Sequence, residues 1–76
     1  MDIKYFIKNI AKQFHDSESI EFKPDTIFQD LEGYTSLTAL FIILMIDEEY
    51  GVSIDANELT SSETIEDLYN KVKAKV

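Results

Sequence analysis

The feature that most constrains this chain is an almost unbroken apolar run at residues 37–46, within TSLTALFIILMIDEEYG. A short apolar run can form a buried strand or a helix, and its length and flanking residues decide between them. The segment from Ser36 to Tyr50 is too long for a typical strand. Thr35 or Ser36 offers an N-cap hydroxyl, and Gly51 offers a C-terminal stop. The run therefore predicts a helix over residues 36–50.

This helix is predicted to have two apolar sides. Successive residues are about 100° apart around a helix, so we expect one side to be buried in the core: Ala39, Ile42, Ile43, Ile46 and Tyr50. We expect the opposite side to face outward: Leu37, Phe41, Leu44 and Met45, with Thr38 and Glu48. An apolar strip that faces outward is typical of a partner or ligand site.

The segments before this helix predict one further helix and a long loop. Apolar residues recur at three- and four-residue intervals from Ile3 to Phe14, which favours a first helix over about residues 2–15. The loop that follows contains Pro24 and Gly33. Its apolar residues are expected to pack on the core: Ile20, Phe22, Ile27, Phe28 and Leu31.

After Gly51 the pattern predicts a short helical turn at residues 57–60 and a last helix in TIEDLYNKVKAKV. Thr64 and Asp67 resemble a capping box, with Asp in place of the usual Glu or Gln. The predicted fold is all-α, a small four-helix bundle of three main helices and one short helix with a long first loop. We expect residues 1–76 to form a single domain.

The charge of the chain excludes several classes of partner. A formal net charge of -8 opposes binding to nucleic acid or to anionic membrane surfaces, so the natural partners should be basic. The apolar run is too short to span a bilayer, which takes roughly 20 residues. The absence of cysteine fits a reducing compartment, and we expect a cytoplasmic, monomeric protein.

The sequence offers little for catalysis or metal binding. A catalytic triad needs a base beside a nucleophile, and the only histidine is His15, within FHDSES at the end of the first predicted helix. There we expect it to be solvent-exposed or to compensate the helix dipole. Asp47, Glu48 and Glu49 are consecutive on a helix and so diverge, which makes them poor joint metal ligands. We therefore expect a protein that is not an enzyme and holds no metal.

Two stretches together resemble the acyl carrier proteins. FQDLEGYTSLTALFIILMIDEEYGVSI looks like the central motif of that family, in which a serine opens the second helix and acids and an aromatic residue close it. ELTSSETIEDLYNKV is similar to the family's last loop and final helix. The resemblance extends over nearly the whole chain.

The resemblance implies a cofactor and a set of partners. In that family the serine that matches Ser36 is esterified with 4'-phosphopantetheine, taken from coenzyme A by a magnesium-dependent phosphopantetheinyl transferase. The thiol of the arm then carries acyl groups as thioesters. Taken only from its context, Ser36 could equally be an N-cap residue, and both roles can hold at once.

The chain departs from the family at three positions. The Asp usual before the serine is Thr35, and two positions that are often acidic are Thr38 and Phe41. We therefore expect a more apolar docking surface for acyl-loading and acyl-processing enzymes, made of Leu37, Phe41, Leu44, Met45 and Glu48. We expect an acyl carrier in fatty-acid synthesis or in a specialised lipid or secondary-metabolite pathway, and such a surface fits a carrier dedicated to one pathway at least as well as the general carrier of fatty-acid synthesis. A carrier of aminoacyl or other groups, and an unmodified helical adaptor, remain alternatives.

Overall fold

The computed structural model describes residues 1–76 and contains four α-helices and no strand. The helices are α1 (Ile3–Ala11), α2 (Ser36–Tyr50), α3 (Ala56–Thr60) and α4 (Ile65–Lys75). Two 3₁₀ turns, Ser17–Ser19 and Phe28–Asp30, lie in the long loop between α1 and α2. The predicted all-α bundle, with three main helices and one short one, is confirmed. No helix is both long enough and apolar enough to cross a membrane.

Local sequence signals determine where α2 ends and where α4 begins. Gly51 adopts φ 66, a left-handed conformation that glycine reaches without a Cβ penalty, and ends α2. The Thr64 side chain accepts from the Asp67 amide, and the Asp67 carboxylate accepts from the Thr64 amide. These hydrogen bonds lower the pKa of Asp67. The bounds predicted for α2 and the capping box predicted for α4 are both confirmed.

The first helix ends earlier than the sequence pattern predicts. After Ala11, Gln13 and Phe14 donate to carbonyls three residues back, which tightens the chain into a turn. Phe14 nevertheless stays buried and packs against Phe22, with ring centroids 5.2 Å apart. Apolar residues at helical spacing therefore continue past the last residue of α1, which is why the sequence pattern predicts a longer helix.

A single core joins all four helices. Its fully buried side chains come from α1 (Phe6, Ile10), the loop (Phe28), α2 (Ile42, Ile46), α3 (Leu59) and α4 (Ile65, Leu68, Val72). Phe22 and Leu31 pack against this core as predicted. Ile27 was expected there too, but it is 40% exposed, because the loop turns its neighbour Phe28 inward instead.

The long loop is fixed to the other end of the chain. The amides of Ile65 and Glu66 donate to the carbonyls of Thr26 and Pro24, at 3.1 and 2.9 Å. Gln29 Nε2 lies within hydrogen-bonding distance of three carbonyls around the end of α3, those of Leu59, Thr60 and Ser62. These contacts hold the segment that leads into α2.

Replacing Gln29 should measurably weaken the fold. We expect Gln29→Ala to lower the free energy of unfolding by about 1–3 kcal/mol, because the carbonyls around α3 lose a shared donor. Urea denaturation followed by circular dichroism measures the change. Asp30→Ala, at the exposed neighbouring position, is the control and should change little. An unchanged midpoint for Gln29→Ala would show that these contacts do not stabilise the loop.

Candidate functional site

Thr35 caps α2, which leaves Ser36 as the first residue of the helix. Thr35 Oγ1 accepts from the Thr38 amide at 3.2 Å, and Thr38 Oγ1 accepts from the Thr35 amide at 3.2 Å. Thr38 Oγ1 is also 3.0 Å from the Gly33 carbonyl, to which it can donate. The turn from Gly33 to Thr38 is therefore fixed without any contribution from the Ser36 side chain.

The start of α2 can accommodate an anion attached to Ser36. Ser36 is exposed, and the backbone N–H groups of Ser36 and Leu37 have no acceptor in the chain. Free N–H groups and the helix dipole at such an N-terminus stabilise negative charge. A phosphodiester on the Ser36 hydroxyl would face these groups, so the residues present fit a phosphate-linked group.

The structure corrects the predicted outer side of α2 at two positions. Met45 is 7% exposed and Thr38 is 6% exposed, so both are buried. Met45 is three residues after Ile42 and Thr38 is four before it, which places each within about 60° of Ile42 around the helix. The prediction that Met45 lies on an outer docking surface is therefore wrong. Thr38 serves the capping box instead of the surface.

Four large apolar side chains of α2 do face outward, and sequence analysis placed only three of them there. Leu37, Leu40, Phe41 and Leu44 are between 42% and 57% exposed, and we call this set the α2 stripe. The i, i+3, i+4, i+7 spacing of these residues could have revealed Leu40, which lies opposite Ile42. Glu48 is also exposed and follows one turn after Leu44.

Acidic residues extend the α2 stripe toward the end of the helix. Asp47, Glu48 and Glu49 are all exposed, and Glu49 Oε1 accepts from the Tyr5 hydroxyl at 3.0 Å. No three His, Asp or Glu side chains lie close enough together to hold a metal ion. This end of α2 therefore carries a concentration of negative charge at the surface.

Tyr34, two residues before Ser36, is a structural residue of this region. Its ring packs against Phe14 and Phe28, with centroid distances of 6.4 and 5.8 Å. Its hydroxyl is buried without a hydrogen-bond partner, and burial raises its pKa. The hydroxyl therefore adds nothing to stability, and the ring holds the approach to Ser36 on the core.

Removing that hydroxyl should not harm the fold. We expect Tyr34→Phe to stabilise the protein by about 1 kcal/mol, because an unsatisfied buried polar group is lost. Tyr69→Phe is the matched control and should have the opposite effect, because the Tyr69 hydroxyl donates to the Met1 carbonyl at 2.8 Å. Melting temperatures measured side by side test both changes. A lower melting temperature for Tyr34→Phe would contradict this account of its hydroxyl.

A four-helix bundle that exposes a serine at the start of a long helix, beside free backbone donors, is suited to present a covalently attached group. The model of a protein family described as "Phosphopantetheine attachment site" matches residues 5–72. The chain therefore belongs to this family of phosphopantetheine-binding carrier proteins. The family predicted from the sequence is confirmed.

Membership in this family establishes the kind of protein and the cofactor. The domain is the site at which 4'-phosphopantetheine is attached covalently to a serine. Its members are carriers and not catalysts. Carrier domains of this kind are modified by a phosphopantetheinyl transferase and interact with acyl-processing enzymes. This assignment disfavours the unmodified adaptor, which was one of the alternatives.

Proposed function

We propose that the protein is an acyl carrier protein that bears 4'-phosphopantetheine on Ser36 and carries acyl groups as thioesters. The observation that supports this proposal is that Ser36 is exposed at the first position of α2, where two backbone N–H groups are free. When bound, the cofactor supplies the thiol on which acyl groups are carried.

The other five serines of the chain are less suited to this role. Ser62 is fully buried, and Ser61 accepts from Lys71 Nζ at 2.7 Å. Ser17 and Ser19 lie in a 3₁₀ turn of three residues, and Ser53 lies in the loop between α2 and α3. None of them begins a helix of several turns, so none has comparable stabilisation for a phosphodiester.

The attachment reaction is an ordinary phosphoryl-type transfer. Ser36 Oγ forms a bond to the phosphorus of coenzyme A that carries the pantetheine arm. The bond from that phosphorus to the nucleotide side breaks, and adenosine 3',5'-bisphosphate leaves with the electron pair. The hydroxyl proton passes to a base of the transferase, because Ser36 has no basic side chain hydrogen-bonded to it. The serine thus stays inert until the transferase engages it.

The α2 stripe and Glu48 support the proposed docking surface for those enzymes. Exposed apolar side chains near Ser36 suit an apolar patch on a partner, and the acids at the end of α2 suit a basic one. With Met45 buried, the proposed surface consists of Leu37, Leu40, Phe41, Leu44 and Glu48. Its apolar character favours a specialised lipid or secondary-metabolite pathway over general fatty-acid synthesis. A monomeric state and a cytoplasmic location remain predictions.

Loading trials test this function and separate the two kinds of cargo. The purified protein is incubated with coenzyme A, magnesium and a broad-specificity phosphopantetheinyl transferase, and its intact mass is recorded. The loaded protein is then offered fatty acyl and aminoacyl donors with their activating enzymes. We expect a phosphopantetheine mass increment and thioester formation with acyl donors. Charging by aminoacyl donors alone would instead support the aminoacyl alternative, and no increment at all would refute the carrier function.

A further inference from the structure

A groove runs along the outer side of α2, beside the end of α1. It consists of two adjoining surface cavities of ≈ 670 and ≈ 400 Å³ that share Lys12, Gln13 and Phe41. The larger cavity reaches Thr35 and Leu37, next to Ser36. The smaller one reaches Leu44, Glu48 and Glu49. We call the two together the α1–α2 groove; its span from Leu37 to Glu48 is about 16 Å along the helix axis.

The charge of this groove is unusual for the chain. The cavity next to Ser36 is lined by Lys12 and His15 and by no carboxylate, although the protein has 15 acidic residues and 7 lysines. Lys12 is in neither of the two salt bridges, which involve Lys23 and Lys75. Carboxylates line only the far end of the groove. A negative group attached at Ser36 therefore meets complementary charge on this side.

The walls also match the rest of a phosphopantetheine arm, which has a geminal dimethyl group, a hydroxyl and two amides. Phe14, Leu37 and Phe41 supply apolar surface. Gln13 Nε2 donates to the Asn9 carbonyl at 3.0 Å, which orients the side chain and leaves its amide oxygen to accept from an N–H group. The groove thus offers both apolar contacts and a hydrogen-bond acceptor.

No comparable cavity adjoins α3 or α4. None of the three surface cavities is lined by a residue of α3 or α4. The third cavity lies beneath the first loop, at Ile20 and Leu31, and does not reach Ser36. Only the α1–α2 groove therefore adjoins the attachment position.

From this arrangement we infer that the α1–α2 groove holds the phosphopantetheine arm between transfers, with Lys12 toward the phosphodiester and Gln13 and Phe41 against the pantetheine part. The inference rests on the proposed attachment at Ser36. It assigns Lys12 and Gln13 a role in binding the arm, and it gives Phe41, which also belongs to the α2 stripe, a second role beside the docking of partner enzymes.

Nuclear magnetic resonance of the loaded protein tests this placement. The chain is labelled with ¹⁵N and ¹³C, the arm is left unlabelled, and isotope-filtered nuclear Overhauser effects are recorded. We expect contacts from the arm's methyl protons to Phe41 and the Gln13 side chain. We also expect loading to shift the amide signals of Lys12, Gln13 and His15. Contacts to α3, or shifts confined to residues 35–38, would overturn the placement.

Matched variants make the test specific. Phe41→Ser and Lys12→Gln should each lose the loading-induced shift at Gln13. Leu40→Ser and Lys8→Gln are controls, because Leu40 neighbours Phe41 on α2 and Lys8 lies four residues before Lys12. Both residues are exposed but neither lines the groove, so both variants should keep the shift. Equal behaviour of variants and controls would overturn the inference. Intact mass separates the two proposals. A loaded protein without shifts at Lys12, Gln13 and His15 refutes only the groove, whereas a protein that cannot be loaded refutes the attachment itself.

Discussion

Ser36→Ala is expected to abolish phosphopantetheine loading completely while leaving the fold intact. The hydroxyl oxygen of Ser36 is the proposed attachment atom, and no neighbouring side chain can replace it in the same geometry. The capping contacts of α2 are made by Thr35 and Thr38, and alanine is a good helix former, so stability should be unchanged. Intact mass after incubation with coenzyme A and the transferase measures loading, and thermal unfolding measures stability.

Ser53→Ala is the matched control for this loss. Ser53 is exposed in the loop between α2 and α3, remote in sequence from the proposed attachment position. The Ser53→Ala variant should be loaded to the same extent as the protein without substitutions. A mass increment that persists in Ser36→Ala would place the arm on another residue and refute the assignment.

Leu40→Glu is expected to weaken transfer between the loaded protein and its cognate enzymes by about 30-fold in kcat/KM. A hot-spot side chain at the centre of a docking surface is worth about 2 kcal/mol, which corresponds to that factor, and we expect Leu40 to be such a residue. Leu40 is 49% exposed, so the fold should tolerate glutamate. Leu40 lies outside the α1–α2 groove, so its effect reports on docking and not on the arm.

Asn70→Glu provides the control for added charge. Asn70 is exposed on α4 and lines none of the surface cavities. This variant receives the same negative charge away from the α2 stripe. Its transfer rates should stay close to those of the loaded protein without substitutions. Equal rates for Leu40→Glu and Asn70→Glu would show that the stripe does not dock partner enzymes.

Much of the site could be predicted because local signals determine it. The apolar run, a hydroxyl residue before it and Gly51 after it fix the bounds of α2, and these bounds place Ser36 at its start. The capping box of α4 depends only on Thr64 and Asp67, which are close in sequence. Such features require no knowledge of the packing partners.

The rotation of α2 could not be predicted with the same accuracy. Residues 37–46 are apolar on all sides of the helix, so no polar face marks the exposed side. Burial of Met45 and exposure of Leu40 depend on where α1, α3 and α4 pack. The α1–α2 groove also depends on tertiary structure, since it joins Lys12 to Phe41 across a long loop.

Fragmentation mass spectrometry of the loaded protein tests the central claim most directly. The intact chain is fragmented by electron transfer, which leaves the phosphodiester attached, and the fragments on each side of every serine are weighed. We predict that the phosphopantetheine increment appears in fragments that contain Ser36 and is absent from those that end before it. An increment on Ser53, Ser61 or any other residue would contradict the assignment of Ser36 as the attachment site.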